Sequence, residues 1–398
     1  MKLKLILPAA AVALSMAVLA GCSNGSTDGS QPNPDTSTTE KTQDTDGSTD
    51  KPHIEGTTAD GFEYELNEDG TAVMITGYTG SSADAVIPGE IEGYSVTEIG
   101  DSAFKENIGI TSVTIPDGVT VIGNDAFYDC TNLTSVNIPD GVNEIGTAAF
   151  AGCESLTSVT IPNSVNEIGE RAFHSCFGLT DITFSNSLTV ISGWSFACCE
   201  SLTSVTIPSG VTEIGDGAFN ECAALTDLTI PNSVTVIGNS AFSMCTALTS
   251  VTIPDSVTEI GEWTFTDCIG LTSVTLSDSL TAIGMRAFSG CTGLTDLTVP
   301  NSVTEIEGHA FSGCTGLTSV TIPDSVTVIG KNAFMNCTGL TSVTVPTSVT
   351  EIGELAFGYA LDEYISDYAV INGFEMFCAS GSAAERYAAD NDIPYTLT

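Results

Sequence analysis

The chain has 398 residues, 42% of them hydrophobic, and its 50 acidic residues against 9 lysines and arginines give a formal charge of −41. A field of that sign keeps a chain soluble and repels phosphate backbones and anionic lipid, so a nucleic-acid role is not expected.

The first 21 residues read as an export signal. Lys2 and Lys4 form a basic start, and Leu5 to Leu19 is an apolar run too short and too early for a stable membrane span. It closes on Leu19-Ala20-Gly21-Cys22, which resembles the lipobox of bacterial lipoproteins. The resemblance implies cleavage before Cys22 and a diacylglycerol on its sulfur, with lipid attachment as the only contact with the membrane. Residues 22–59 are mostly Ser, Thr, Asp, Gly, Pro and Gln. They hold too little apolar surface to offset ordering entropy and are expected to form a disordered acidic linker. As a flexible coil such a linker reaches roughly 30–40 Å.

Residues 60–100 read as an N-terminal cap: a hairpin of Phe62 to Leu66 and Ala72 to Tyr78 around Asn67-Glu68-Asp69-Gly70, then an irregular first coil from Ile87-Pro88 with Gly93-Tyr94 inserted. From 101 to 360 the chain repeats. A phenylalanine returns every 23 residues from Phe104 through Phe219 to Phe357, twelve times without a slip. A fixed period of that length marks a stacked solenoid.

In residues 133–155 the recurring positions are Leu133, Val136, Ile138, Val142, Ile145, Phe150 and Cys153. Alternation places Val136 and Ile138 inward on a short strand, with Ser135 and Asn137 outward. Pro139 ends that strand because it cannot donate to a ladder. A second extended piece points Val142 and Ile145 inward. Gly146, matched by Gly100, Gly123, Gly169 and Gly215, suits a turn of positive φ. Ala149-Phe150 then occupies a short helical turn.

The pattern Leu-x-x-Val-x-Ile-Pro-x-x-Val-x-x-Ile-Gly-x-x-Ala-Phe-x-x-Cys resembles the leucine-rich repeat of BspA-type bacterial surface proteins, over about residues 87 to 360. Ser185 and Ser277 replace its proline, Ser195 and Thr264 its alanine, and Glu307 its glycine. The resemblance implies a β-rich solenoid: a right-handed superhelix of about twelve 23-residue coils, capped at both ends. Residues 361–398 form the second cap, where Gly381 to Ala388 resembles the short helix that ends such arrays. Proteins of this kind are secreted or surface-borne and linked to adhesion and host interaction.

Thirteen cysteines in an exported chain suggest disulfides, yet ten form one column, from Cys130 through Cys222 to Cys337. Neighbours in a parallel stack lie about 4.7–4.9 Å apart with side chains pointing the same way. A disulfide wants its Cβ atoms about 3.5–4.5 Å apart, so buried thiols are expected. No zinc-type spacing occurs, and neither metal nor cofactor is expected. Cys198 and Cys378 fall outside the column.

Three surfaces remain for function. The strand face carries Ser-x-Thr ladders interrupted by Asp181, Asp227 and Asp296. That hydroxyl array favours a solvated sheet face over an ice-binding one. The second face carries Glu167, Glu213, Glu259, Glu305 and Glu351 alternating with Val190, Val236, Ala282 and Val328. Carboxylates two coils apart are about 10 Å from each other, too far to share a calcium ion. Coils differ most at the turn around the phenylalanine. Two residues before it stand Arg171, Trp194, Trp263, Arg286 and His309, and just after it Tyr128 and His174. Both tryptophans sit beside an arginine one coil away, and Trp and Arg are enriched in interface hot spots. These seven residues are the candidate partner-binding edge.

No nucleophile, phosphate-cradling loop or metal-ligand pair emerges, so no enzyme activity and no small-molecule substrate are expected. The sequence reads as a lipid-anchored protein on the extracellular side of a bacterial envelope. It would present a repeat scaffold for adhesion or for binding an extracellular protein or glycan. The alternative is a structural or self-assembling envelope component without an external ligand.

Overall fold

A computed structural model describes residues 54–362 and 367–398. The expected signal peptide, Cys22 and the linker as far as residue 53 lie outside the described residues. The linker was expected to run through residue 59, but Glu55–Thr57 (β1) pairs antiparallel with Phe62–Leu66 (β2). Three extended residues suffice there, because β2 offers a free edge whose backbone groups need partners. β2 in turn pairs antiparallel with Val73–Tyr78 (β3), and β3 runs parallel to Tyr94–Ile99.

From Tyr94–Ile99 the backbone winds as a solenoid. Each coil contributes a strand to two parallel columns, and pairing is in strict 23-residue register: Ser112 opposite Ser135, Glu144 opposite Val121. The first column holds twelve strands that each precede a column phenylalanine. Two more, Glu375–Cys378 and Tyr395–Leu397, come from the C-terminal segment, giving fourteen turns rather than about twelve. The single α-helix among the described residues is Ala383–Asp390 (α1), capped by Ser382, whose side chain accepts the Glu385 N–H.

The core is one continuous spine. All twelve phenylalanines are buried, and successive rings from Phe104 to Phe357 stack with centroids 4.8–5.6 Å apart and planes within 17°. Coil pitch sets this spacing, and each buried ring is worth about 1.5–3 kcal/mol. At the N-terminal end Phe62 and Tyr78 close on Phe104 at 6.4 and 5.5 Å. The ten column cysteines are free and buried, and each S–H donates to a phenylalanine carbonyl, as Cys222 does to Phe196 at 3.3 Å. Where the consensus fails, two hydroxyls find backbone carbonyls, whereas the buried Ser195 Oγ has no hydrogen-bond partner. Ser277 Oγ donates to the Val257 carbonyl at 2.8 Å, and Thr264 Oγ1 to the Gly261 carbonyl at 2.8 Å.

Two local expectations are corrected. The glycines of the Gly146 column do not adopt positive φ. They are needed because coils approach closely: a Cβ on Gly169 would stand 2.3 Å from the Gly146 carbonyl carbon, and one on Gly146 2.7 Å from the Asn124 nitrogen. The segment around each phenylalanine is a run of hydrogen-bonded turns rather than a helical turn. Its left-handed residues lie two before and two after the ring, for example Asp125 (φ 52°) and Asp129 (φ 53°) around Phe127. The N–H groups of Asp125, Phe127 and Asp129 donate to the next coil, at Thr147, Ala149 and Ala151, while Ala126, Tyr128 and Cys130 bond back three residues. Alternating directions let half of the donors stitch coil to coil, which a helix cannot do. Cys198, outside the thiol column, occupies one of these left-handed positions (φ 60°).

Candidate functional site

The seven candidate residues lie on the edge formed by these phenylalanine turns. Arg171, Trp194, Trp263, Arg286 and His309 all sit in the first left-handed column, with φ between 57° and 61°. A non-glycine residue there is strained by about 1–2 kcal/mol. Three coil-to-coil backbone bonds and one buried ring per turn hold it in place. With the backbone stitched axially and Phe, Ala and Cys filling the interior, the side chain at this position is directed to the rim. Arg171 is exposed, and Tyr128, His174, Trp194, Trp263, Arg286 and His309 are partly exposed.

The structure brings some of these together and separates others. The Arg286 guanidinium lies over the Trp263 ring, 4.2 Å from its centroid. His309 follows one coil later, its Nε2 3.0 Å from the amide nitrogen of Asn332. Trp263, Arg286, His309 and Asn332 thus make a continuous ladder over four coils. The other expected Trp–Arg pair has a different arrangement. The Trp194 indole covers Gly217 in the next coil, where an added Cβ would meet ring carbons at 2.6–2.7 Å, and Arg171 Nε stands 3.8 Å from Glu170. A glycine one coil beyond Trp194 leaves room for the ring to lean that way. Tyr128 is paired with Lys105, whose ammonium is 4.7 Å from the ring centroid and 2.9 Å from Asp125. His174 stands apart from the ladder, its Nδ1 buried without a partner.

Both histidines are pushed toward the neutral form. Burial is the main cause for each. Arg171 adds to it at His174, and Arg286 and then Lys331 at His309. Burial raises the Asp267 carboxyl, and Arg286 partly opposes that. Asn332, Gly217 and Lys105 are the contributors that sequence reasoning left out of the site. Their signal was the 23-residue register itself, which places each beside a candidate residue in the adjoining coil.

The strand faces carry different chemistry. On the second face each of Glu213, Glu259 and Glu305 pairs in register with valine or alanine of adjoining coils. On the first face the interior residue alternates by coil: Val159, Val205, Val251 and Leu297 are buried, whereas Ile182, Leu228, Val274 and Val320 are only partly so. Both alternations have a two-coil period. Among the described residues no cluster of three or more His, Cys, Asp or Glu is placed to hold a metal, and no helix is long and apolar enough to cross a membrane.

Comparison with known proteins agrees with this architecture. The profile of the family described as the BspA type leucine rich repeat region (6 copies) matches residues 97–226, 212–338 and 264–365. A leucine-rich repeat protein from Bacteroides ovatus is 27% identical over 81% of this chain and 99% of its own, with a TM-score of 0.51. A leucine-rich cell surface protein from Faecalibacterium prausnitzii is 32% identical over 77% of this chain and 96% of its own, with a TM-score of 0.46. The pneumococcal vaccine antigen PcpA shares the fold at 18% identity, over 87% of this chain and 99% of its own, with a TM-score of 0.56. No curated protein matches. Twelve phenylalanine coils in register and a profile match across the whole array give one conclusion: the chain belongs to the BspA-type leucine-rich repeat family.

Proposed function

We propose that this protein is a surface-displayed scaffold that binds an extracellular protein or glycan through its phenylalanine-turn edge, in adhesion or partner capture. The observation that carries the reading is the sorting of side chains. Within the repeat array every basic residue (Lys105, Arg171, Arg286 and Lys331), both histidines and both tryptophans stand within three residues of a column phenylalanine. The two strand faces carry acids, hydroxyls and small apolar groups but no base. A repeat surface that varies along one edge and concentrates Trp and Arg there suits partner recognition. The description of the Faecalibacterium relative as a cell surface protein supports display outside the cell. Anchoring through a lipid on Cys22 fits the lipobox-like residues before it. We read the scaffold as non-enzymatic, since no nucleophile and base converge on this edge.

The test replaces Arg171, Trp194, Trp263 and Arg286 with alanine together in the full-length protein and measures adhesion of cells displaying it. Loss of adhesion with an unchanged circular dichroism spectrum is expected. Undiminished adhesion would end the reading. Anchoring is checked separately with an alkyne fatty acid: Cys22→Ser should abolish labelling and release the protein from the membrane fraction.

A further inference from the structure

We propose that Arg286, clamped by Trp263 and flanked by His309, is a receptor for the carboxylate of an acidic sugar in a polysaccharide. The inference rests on the turn edge being the contact surface, and it names the ligand class for one stretch of that edge.

Arg286 differs from the other bases of the array in lacking a close ion pair, although its charge acts on the partly buried Asp267. Among the described residues Lys105 pairs with Asp125 at 2.9 Å, Arg171 with Glu170 at 3.8 Å and Lys331 with Glu354 at 2.6 Å, while Arg286 enters no ion pair within 4.0 Å. This is notable in a chain of charge −41, where acids outnumber bases more than fivefold. Its guanidinium lies instead over the indole ring of Trp263. Contact with the indole restrains the guanidinium, and a restrained N–H fork matches the two oxygens of a carboxylate. The nearby acids do not fill that role. Asp267 is partly buried, Glu262 is exposed without an ion pair to Arg286, and Glu354 is engaged by Lys331.

His309 extends the receptor by one coil, about 4.8 Å further on. Its Nε2 is held by Asn332, a residue only 7% exposed, so the ring has a fixed orientation. Held through Nε2, the ring keeps Nδ1 as its second polar atom for a ligand hydroxyl, which can donate or accept. Burial first, and then the charges of Arg286 and Lys331, disfavour protonation of His309. A carboxylate on Arg286 and a ring hydroxyl at His309 match the spacing of groups on one uronic acid residue.

The surroundings favour a sugar over an acidic peptide. Gly308, Ser289, Gly290 and Gly313 beside the ladder are small and partly exposed. Peptide hot spots need a well-packed recess that excludes water, which glycine and serine side chains do not build. Repulsion from the rest of the chain is limited in range, because charges beyond about 8 Å are screened at physiological salt.

The full-length protein is titrated with trigalacturonic acid and followed by calorimetry and tryptophan emission. Maltotriose serves as the uncharged sugar and triglutamate as the acidic peptide. Trigalacturonate is expected to bind and shift the emission, and maltotriose to do neither. Arg286→Met is expected to weaken binding about tenfold or more, with Arg286→Lys intermediate, because a point charge replaces a bidentate fork. Trp263→Ala should also weaken it, and Arg171→Ala should not. No binding, an unaffected Arg286→Met protein of wild-type melting behaviour, or equal binding of triglutamate would overturn the proposal. If adhesion still depends on the four edge residues while trigalacturonate fails to bind, the ligand class is wrong and the edge reading stands. If adhesion is independent of them, the edge reading itself fails.

Discussion

The hydroxyl of Tyr387 accepts the backbone N–H of Phe357 at 3.0 Å and donates to the carbonyl of the same residue at 3.1 Å. One side chain on α1 thereby replaces the coil that would otherwise follow the last ring of the stack. Ser82 does the same at the N-terminal end of the first strand column, accepting the Asp84 N–H at 3.2 Å and donating to its carbonyl at 2.8 Å. Open solenoid ends template pairing with further chains, and each of these hydroxyls satisfies one outward-facing residue near an end.

Tyr387→Phe removes the cap and leaves two buried backbone groups without partners. The expected loss is about 1–3 kcal/mol, confined to the C-terminal coils. Hydrogen exchange should show the Phe357 amide losing protection first, with the Phe127 amide unchanged. Burial pushes the Tyr387 hydroxyl up to about 12, so the native cap should survive to strongly alkaline pH.

The left-handed column makes opposite predictions for two neighbouring coils. Gly217→Ala should destabilise by more than about 1 kcal/mol, since φ is +60° and the new Cβ meets the Trp194 ring at 2.6 Å. Trp194 emission should change with it. Ser240→Gly relieves the strain of φ 55° at the cost of unfolded-chain entropy, for a net gain of about 0.5–1 kcal/mol. Paired urea melts of the two variants give the signs directly.

Thiol chemistry offers a third check. Burial pushes Cys130, Cys176, Cys222 and Cys337 up to about 12, and Cys153, Cys199, Cys245, Cys268, Cys291 and Cys314 well above the ordinary thiol range. Since the thiolate is the nucleophile, the column should resist iodoacetamide at pH 8 in the native protein and react fully in denaturant. Mass spectrometry of the column peptides before and after unfolding reads the outcome.

Acidification should reveal His174 and His309. Both are depressed in the folded state, so between the folded value and the unfolded value of about 6.5 the unfolded chain binds more protons. Their contribution is therefore complete above pH 6.5 and is lost as pH falls below it. Carboxyls raised by burial, such as Glu98, Glu221 and Asp267, act in the opposite sense, gaining stability as they protonate. The histidine part is isolated by difference: His174→Gln with His309→Gln should remove a pH-dependent loss between pH 7 and 5, measured as the change in thermal midpoint relative to wild type.

The 23-residue recurrence of Phe, Leu, Val, Ile and Cys sufficed to determine the stacked fold, the buried spine and the rim position of Trp263 and Arg286. Each coil repeats the same burial problem, so a periodic pattern admits one periodic solution. The hairpin strands of the N-terminal cap could be placed from their alternation and turn residues. Tertiary structure alone decided how neighbouring coils meet. It turned the Gly146 column into a close-approach requirement rather than a turn requirement, and it replaced a helical turn with axial backbone bonding. It also leaned Trp194 over Gly217 while laying Arg286 on Trp263. These outcomes depend on which small or large side chain stands one coil away, 23 residues distant along the chain but about 5 Å distant in space. Composition and local propensity carry no information about that neighbour; the stack supplies it.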